Sequence, residues 1–184
     1  MGVAIERVWQ EGTVLGEGHL IFVTVGGMRA FDRLIREMDR IAGKVDEKVV
    51  MQIGFTGYEP KNCDYFRFMP RNEIEELYAG AKVVVCHAGI GSILTAMKYN
   101  KPLVIVPRAK RYGEHIDDHQ LDIAREMENR GITVVYDISK LESAVGNVDV
   151  TPVEFKGETD LVRRLKEYLE RIKNRTRCTD VHRS

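Results

Sequence analysis

The sequence predicts a single α/β domain built on a doubly wound, mostly parallel sheet. Short apolar runs that end in glycine or proline alternate along the chain with segments of helical periodicity. The runs show little polar alternation, which is typical of parallel strands that helices cover on both faces. These observations indicate a Rossmann-like arrangement, in which ligands bind beyond the carboxyl ends of the strands.

Each apolar run predicts a strand and each periodic segment a helix. The first predicted helix has one apolar face, and Gly43 follows it as a C-cap. The residues of that face are Phe31, Leu34, Ile35, Met38 and Ile41. Strands are predicted within residues 19–27, 47–54, 63–70, 82–89, 101–107 and 132–137, and helices over 31–43, 71–81, 92–100, 116–131 and 138–148.

The chain divides into four parts on its pattern. Residues 1–18 form an N-terminal extension without an assigned structure, and residues 19–150 form the α/β domain. Residues 151–173 include an amphipathic helix that closes the domain or docks a partner, and residues 174–184 are a basic tail. The apolar stripe of that helix consists of Leu161, Leu165, Tyr168, Leu169 and Ile172.

Composition restricts the function classes. The 184 residues carry no formal net charge, so no overall field attracts nucleic acid or an anionic membrane. The apolar fraction of 43% is that of an ordinary globular protein. Three cysteines without CxxC spacing predict a reducing, cytoplasmic location. The sequence has neither a signal-peptide pattern nor an apolar stretch of about 20 residues, so we expect membrane association only through a partner.

The stretch His-Ala-Gly-Ile-Gly-Ser, residues 87–92, interrupts the apolar pattern between the fourth strand and the next helix. Glycine lets backbone N–H groups approach a ligand without a Cβ, and a helix start offers unpaired amides and a positive dipole end. Ser92 caps the helix or donates to an anion, and His87 donates to a phosphate oxygen. The pattern predicts a phosphate-binding turn. The alternative is that Gly89 and Gly91 only form a turn and His87 packs in the core.

Other nucleotide-binding and hydrolase motifs are missing from the sequence. It contains no GxxxxGK[ST] loop, and GGMRAF at 26–31 does not match GxGxxG. Ser92 lies outside any GxSxG motif, which disfavours a hydrolase of that type. A P-loop enzyme and a dinucleotide-binding enzyme are therefore poorly supported.

A second polar cluster, GEHIDDHQ at 113–120, follows the fifth strand. His115 and His119 are four residues apart, so on one helix they share a face and, with Asp118, suit a metal. Asp117 or Asp118 also suits a helix N-cap. A row of groups that bind sugar hydroxyls accounts for more of the cluster than either alternative.

Taken together, FVTVGG, FDRLI, HAGIGSILTA, KPLVIVPR and GEHIDDHQ resemble glycosyltransferase family 28, over about residues 20–172. The resemblance implies the C-terminal, nucleotide-sugar-binding half of a GT-B enzyme. It is strongest to the two-part enzymes of the family, in which a membrane-anchored partner subunit supplies the acceptor side.

The resemblance also implies roles for individual residues. His87, Gly89, Ile90, Gly91 and Ser92 match the diphosphate-binding turn, and His87 would stabilise the leaving group. His119 and Gln120 match positions that bind the sugar. Thr95 stands where many relatives have a glutamate for the ribose, and Glu114 is a candidate substitute. Phe68, Met69 and Pro70 would lie near the base; Gly26 and Gly27 form the cleft turn, where Gly27 replaces a common serine or threonine.

The expected activity is inverting transfer of a sugar, GlcNAc in the first instance, from a UDP-sugar to a polyprenyl-diphosphate-linked acceptor. No cofactor or metal is expected, since the sequence has no DxD motif. No general base is identified, and His19 and the Gly26 turn are weak candidates. The alternatives are a non-catalytic nucleotide-sugar sensor and a sugar-nucleotide epimerase-like enzyme.

Overall fold

A computed structural model describes residues 19–148 of the chain. The predicted extension 1–18, the amphipathic helix within 151–173 and the tail 174–184 lie outside these residues. The described elements are β1 (Leu20–Thr24), α1 (Asp32–Ala42), β2 (Lys48–Gln52), β3 (Asp64–Phe66), α2 (Arg71–Gly80), β4 (Val83–His87), α3 (Ile90–Lys98), β5 (Leu103–Val106), α4 (His119–Glu128), β6 (Thr133–Val134) and α5 (Leu141–Gly146).

The six strands form one sheet in the order β3-β2-β1-β4-β5-β6, and every neighbouring pair is parallel. The predicted doubly wound sheet is therefore confirmed, and it is parallel throughout. The strand order reverses between β1 and β4, where Thr24 pairs with Cys86. Loops diverge to opposite sides at such a point, which leaves a crevice at the carboxyl ends of the two strands.

The core lies on both faces of the sheet. On one face, α1 and α5 pack on side chains that include Val23, Met51 and Val85. On the other face, Tyr78 of α2 contacts the Phe22 ring edge-on at 5.1 Å. The predicted apolar face of α1 is confirmed, because Phe31, Leu34, Ile35, Met38 and Ile41 are all fully buried. Gly43 is the C-cap of that helix, as predicted.

Several predicted boundaries were wrong, because local polar contacts set where the elements begin and end. β3 stops at Phe66, and the next residue, Arg67, donates to the carbonyls of Gly54 and Thr56 instead of continuing the strand. The helix predicted over 116–131 begins only at His119. The segment 138–148 opens with a 3₁₀ turn, where the Asp137 carboxylate accepts from the Ser139 amide, before α5 begins.

Within residues 19–148, every helix is too short or too polar to cross a bilayer.

Candidate functional site

His87 is the last residue of β4, so its ring lies at the point where the strand order reverses. The imidazole sits between the Gly26 turn after β1 and Gly89 after β4. A Cβ on Gly26 would come within 2.9 Å of its Cε1, and a Cβ on Gly89 would overlap Nε2. Gly26 also has a φ of +69°, which strains other residues. Two of the predicted glycines are thus required by the position of the predicted histidine.

The pKa of His87 is lowered to about 3. Burial is the main cause, because it disfavours the charged ring, and the positive charges of Arg108 and His115 act in the same direction. The nearby backbone of Thr24 partly offsets these effects. His87 is therefore neutral near pH 7 and offers a ligand a hydrogen bond rather than a positive charge.

Helix α3 begins directly beside this ring, with Gly89 as its N-cap. The Gly89 amide donates to the His87 carbonyl at 2.8 Å, so it is already engaged. The amides of Ile90, Gly91 and Ser92 occupy the first turn, where N–H groups have no intrahelical acceptor and the dipole is positive. Three backbone donors at one helix start suit an anion such as a phosphate.

Gly91 differs from Gly89 in its surroundings. A Cβ on Gly91 would meet nothing within 4 Å, and its φ is not positive. The fold alone does not require glycine at this exposed position of α3. An absent Cβ there leaves room for a ligand to approach the backbone.

The hydroxyl groups predicted in this helix have other contacts. Ser92 is not the helix cap, because α3 begins at Ile90, two residues earlier than predicted. Burial raises the pKa of the Tyr78 hydroxyl, and the nearby Ser92 side chain has a smaller, opposite effect. Thr95 Oγ1 donates to the Gly91 carbonyl at 2.8 Å. Ser92 therefore lies beside a buried phenol, and Thr95 braces the first turn of α3.

Thr24 and Gln52, which the sequence analysis missed, support the Gly26 turn from below. Thr24 Oγ1 donates to Gln52 Oε1 at 2.5 Å and accepts from the Gly26 amide at 3.1 Å. Both side chains are buried at the ends of β1 and β2. The sequence did contain a signal for both residues, because each is a polar residue at the end of an apolar run. A buried polar group in such a position needs a hydrogen-bond partner.

Two arginines, also missed, tie the turn to the segment after β5. Arg108 Nη2 donates to the carbonyls of Val25 and Arg29, at 2.8 Å each. Arg33 of α1 reaches in the opposite direction and donates to the Pro107 carbonyl at 3.0 Å. The charged residue that ends the run PLVIVPR was the signal for Arg108.

The structure places the GEHIDDHQ cluster beside the His87 turn, as the proximity of His115 to His87 indicates. Gln120 is buried, and its Oε1 accepts from the Arg108 amide at 3.0 Å. Glu114, the candidate ribose ligand, accepts from Arg33 Nε at 2.7 Å and from the Ala109 amide at 3.1 Å. Both carboxylate oxygens of Glu114 are thus engaged within the protein.

The helical metal site considered for His115 and His119 was wrong. His115 precedes α4 and His119 is its first residue, so the two do not share a helical face. Both rings face Asp117, at 2.8 and 3.4 Å, whereas Asp118 accepts from the Lys110 amide. Asp118 is the N-cap residue by position, but Asp117 accepts from the His119 amide. Residues 19–148 contain no group of three or more His, Cys, Asp or Glu side chains arranged for a metal ion.

The remaining predicted residues lie around the same edge. Phe68 is exposed and contacts the Phe55 ring edge-on at 5.0 Å, and a Cβ on Gly27 would be 4.0 Å from Phe68. Met69 is half-buried, and Pro70 is the N-cap residue of α2. His19, the weak base candidate, precedes β1. It therefore lies at the amino ends of the strands, opposite the site, and that assignment was wrong.

Comparison with known proteins identifies the family. Residues 20–156 match the glycosyltransferase family 28 C-terminal domain. The chain belongs to this family. The predicted resemblance is thereby confirmed, and the His87 turn lies within the matched residues.

Relatives and solved structures agree with this family 28 assignment. The UDP-N-acetylglucosamine transferase subunit ALG13 of Candida albicans is 28% identical over 96 residues, covering 52% of this chain and 31% of that protein. The chain thus spans about a third of the length of that curated relative.

Two solved structures resemble the family 28 fold of this chain. The solution structure of ALG13 has a TM-score of 0.55 at 18% identity, covering 81% of this chain and 96% of the other. CalG4, the calicheamicin glycosyltransferase, has a TM-score of 0.58 at 18% identity, covering 88% of this chain and 46% of the other. The fold is therefore that of one half of a GT-B glycosyltransferase.

Proposed function

We propose that this chain is the UDP-sugar-binding catalytic subunit of an inverting glycosyltransferase. The observation that carries the proposal is the position of His87, which lies between Gly26 and Gly89 beside the first amides of α3. The site is at the reversal point of a parallel sheet, where nucleotides bind in this class of fold. The relatives named UDP-N-acetylglucosamine transferase subunits support GlcNAc as the transferred sugar.

The main catalytic requirement of this reaction is stabilisation of the negative charge on the departing UDP. An acceptor hydroxyl oxygen attacks C1 of the sugar from the face opposite the diphosphate, and the bond from C1 to the phosphate oxygen breaks. The electron pair of that bond goes to UDP, and the hydroxyl proton goes to a general base. The amides of Ile90, Gly91 and Ser92 and the neutral His87 ring are positioned to bind the diphosphate. Each such preorganised donor contributes about 3 kcal/mol to this kind of stabilisation.

The acceptor and the base belong to another subunit in this proposal. A buried histidine with a pKa of about 3 is a poor general base near pH 7. The relatives are named as subunits, and the chain matches only half of CalG4. We propose that a membrane-anchored partner binds the lipid-linked acceptor and recruits this chain to the cytoplasmic side of the membrane.

Calorimetry of the isolated chain tests the ligand. We expect UDP and UDP-GlcNAc to bind and NAD not to bind. Replacing His87 with Ala is expected to weaken UDP binding by about 1 to 3 kcal/mol, the cost of losing a hydrogen bond to a charged group. UMP serves as the matched ligand, because it lacks the second phosphoryl group and should be affected less. Equal losses for UDP and UMP would place the diphosphate elsewhere.

Transfer is tested by co-expressing the chain with a candidate membrane-anchored subunit and supplying UDP-GlcNAc and a polyprenyl-diphosphate sugar. The proposal expects transfer by the pair and none by either chain alone. Nucleotide binding without turnover in any combination would favour a sensor, and an epimerised sugar would favour an epimerase-like enzyme. Added EDTA is expected to leave the rate unchanged, since backbone amides and His87 would bind the diphosphate.

A further inference from the structure

Arg108 is a buried cation at the centre of the candidate site. Its side chain is 2% exposed, and its guanidinium lies 4.9 Å from the centre of the Phe31 ring. Burial lowers its pKa to about 10, because it disfavours the charged form of the guanidinium. A cation in such a place is destabilising unless it is well paired.

The hydrogen bonds of the Arg108 side chain go to the loop after β1, and its backbone amide bonds to α4. Nη2 donates to the carbonyls of Val25 and Arg29, which bracket the Gly26–Gly27 turn. Its own amide donates to Gln120 Oε1. The guanidinium therefore spans from the segment after β5 to the segment after β1, across the end of β4 where His87 lies.

Arg33 makes the reciprocal connection. It extends from α1 to the Pro107 carbonyl and forms a two-point ion pair with Glu114, with Nε to Oε1 at 2.7 Å and Nη2 to Oε2 at 3.0 Å. Arg33 thus has a carboxylate partner, whereas Arg108 donates to carbonyls. Glu114 raises the pKa of Arg108 from a distance but does not outweigh its burial. Arg108 therefore has no carboxylate partner among residues 19–148.

We propose that Arg108 is a positioning residue, whose guanidinium holds the Gly26–Gly27 turn against His87 so that the diphosphate pocket exists before a ligand binds. A preformed pocket avoids the entropy cost of ordering a loop on binding. The identity of the ligand rests on the proposed function, but the clamp itself does not. It follows from the bonds to Val25 and Arg29.

The charge of Arg108 adds a second effect on His87. The groups that act on this ring are Arg108 after β5, His115 in the following loop and the Thr24 backbone of β1. Removing the guanidinium charge should let His87 protonate at a higher pH, whereas a lysine at this position should keep it neutral. A residue that only fills space would not produce this difference.

The wild-type protein provides the first test, which requires no variant to fold. Arginine side-chain NMR should show guanidinium protons of Arg108 that exchange far more slowly than those of the exposed Arg125 on α4. The amide of Gly26, which donates to Thr24 Oγ1, should also be protected from exchange without any ligand. Arg108 protons that exchange as fast as those of Arg125 would overturn the proposal.

Two substitutions then separate shape from charge. Arg108→Gln keeps an amide donor without the charge, and Arg108→Lys keeps the charge without the planar guanidinium group. We expect faster exchange of the Gly26 amide in both variants. We expect His87 to protonate at a higher pH than in the wild type only in Arg108→Gln. UDP affinity should fall about tenfold to a hundredfold in Arg108→Gln. Arg125→Gln, which removes an exposed arginine, is the matched control and should change none of these values.

The outcomes distinguish this inference from the proposed function. If wild-type protein does not bind UDP, the proposed function fails, while the exchange and titration measurements still test the clamp. If UDP binds but Arg108→Gln folds with unchanged loop exchange, His87 titration and affinity, the clamp is wrong and the proposed function stands.

Discussion

At the level of single residues, the burial of His87 makes folding sensitive to pH. The folded-state pKa of about 3 lies below the ordinary value of about 6.5, so between these values the unfolded chain binds a proton that the folded chain does not. The stability associated with the neutral ring is therefore complete above about pH 6.5 and is lost as the pH falls towards 3.

We expect the free energy of unfolding to decrease by about 1 to 2 kcal/mol between pH 6.5 and pH 5 because of His87. Urea denaturation at several pH values measures this decrease. His87→Gln, whose side chain does not titrate, should remove most of the slope even if it lowers stability at every pH. The pKa values of Glu47, Glu75, Asp137 and Glu142 are all lowered, so these carboxylates titrate below this window. Parallel slopes in the two proteins would mean that His87 has the same pKa in the folded and unfolded states.

At the level of elements, α3 separates a glycine that the fold needs from one that it does not. Gly89 has no room for a Cβ beside His87, whereas Gly91 has open space around it. Glycine in a helix is less favourable than alanine by about 1 kcal/mol. Gly91→Ala should therefore raise the free energy of unfolding by up to about 1 kcal/mol and yet weaken UDP binding, because the new methyl group occupies the approach to the amides.

Gly146→Ala is the matched control for this substitution. Gly146 also has open space and no positive φ, but it ends α5, away from the site. It should gain stability without a change in UDP affinity. Thermal unfolding and calorimetry on the same samples measure both quantities. An unchanged UDP affinity in Gly91→Ala would show that no ligand approaches this turn.

The elements that the sequence predicted correctly are those whose apolar pattern is strong. The buried face of α1 and the central strands follow from residues such as Leu34 and Met38, whose spacing needs no tertiary information. The start of α4 was wrong because Asp117 turns the chain through contacts with two histidines, which no periodicity contains. Local patterns thus predicted the layers of the fold but not the polar ends of its elements.

The candidate site was predicted in part for the same reason. The turn from His87 to Ser92 is contiguous, so its composition alone indicated an anion. The supporting residues Thr24 and Gln52 end two separate strands, Arg108 lies in the segment after a third, and the three meet only when the sheet forms. Contacts between residues that are far apart in the chain cannot be predicted from the pattern of a single sequence.

At the level of the whole molecule, the exposed apolar side chains share one location. Among residues 19–148, the exposed large apolar side chains all lie in segments that follow strands. They are therefore at the carboxyl ends of the strands, as His87 is. They are Met28, Phe55, Phe68, Tyr112 and Ile116. We define these five residues as the apolar rim. Apolar groups clustered beside a site are typical of a surface that contacts a partner.

If the acceptor-binding subunit covers this edge, substitutions in the apolar rim should weaken the complex without affecting the nucleotide. Met28 is 88% exposed and Ile116 is 67% exposed, so a charge at either position should not disturb the core. We expect Met28→Asp or Ile116→Asp to weaken association by about 2 kcal/mol, roughly thirtyfold, if the residue is central to the interface. UDP affinity of the isolated chain should stay within about twofold of wild type.

Ser143→Asp is the control, because Ser143 is exposed on α5, outside the apolar rim. Co-purification of each variant with the membrane-anchored subunit, followed by a titrated binding assay, measures association. Transfer by the pair should fall with association in the rim variants and remain at the wild-type level in Ser143→Asp. Wild-type association in both rim variants would place the partner on another surface, because a buried aspartate at the interface has no means of avoiding its desolvation cost.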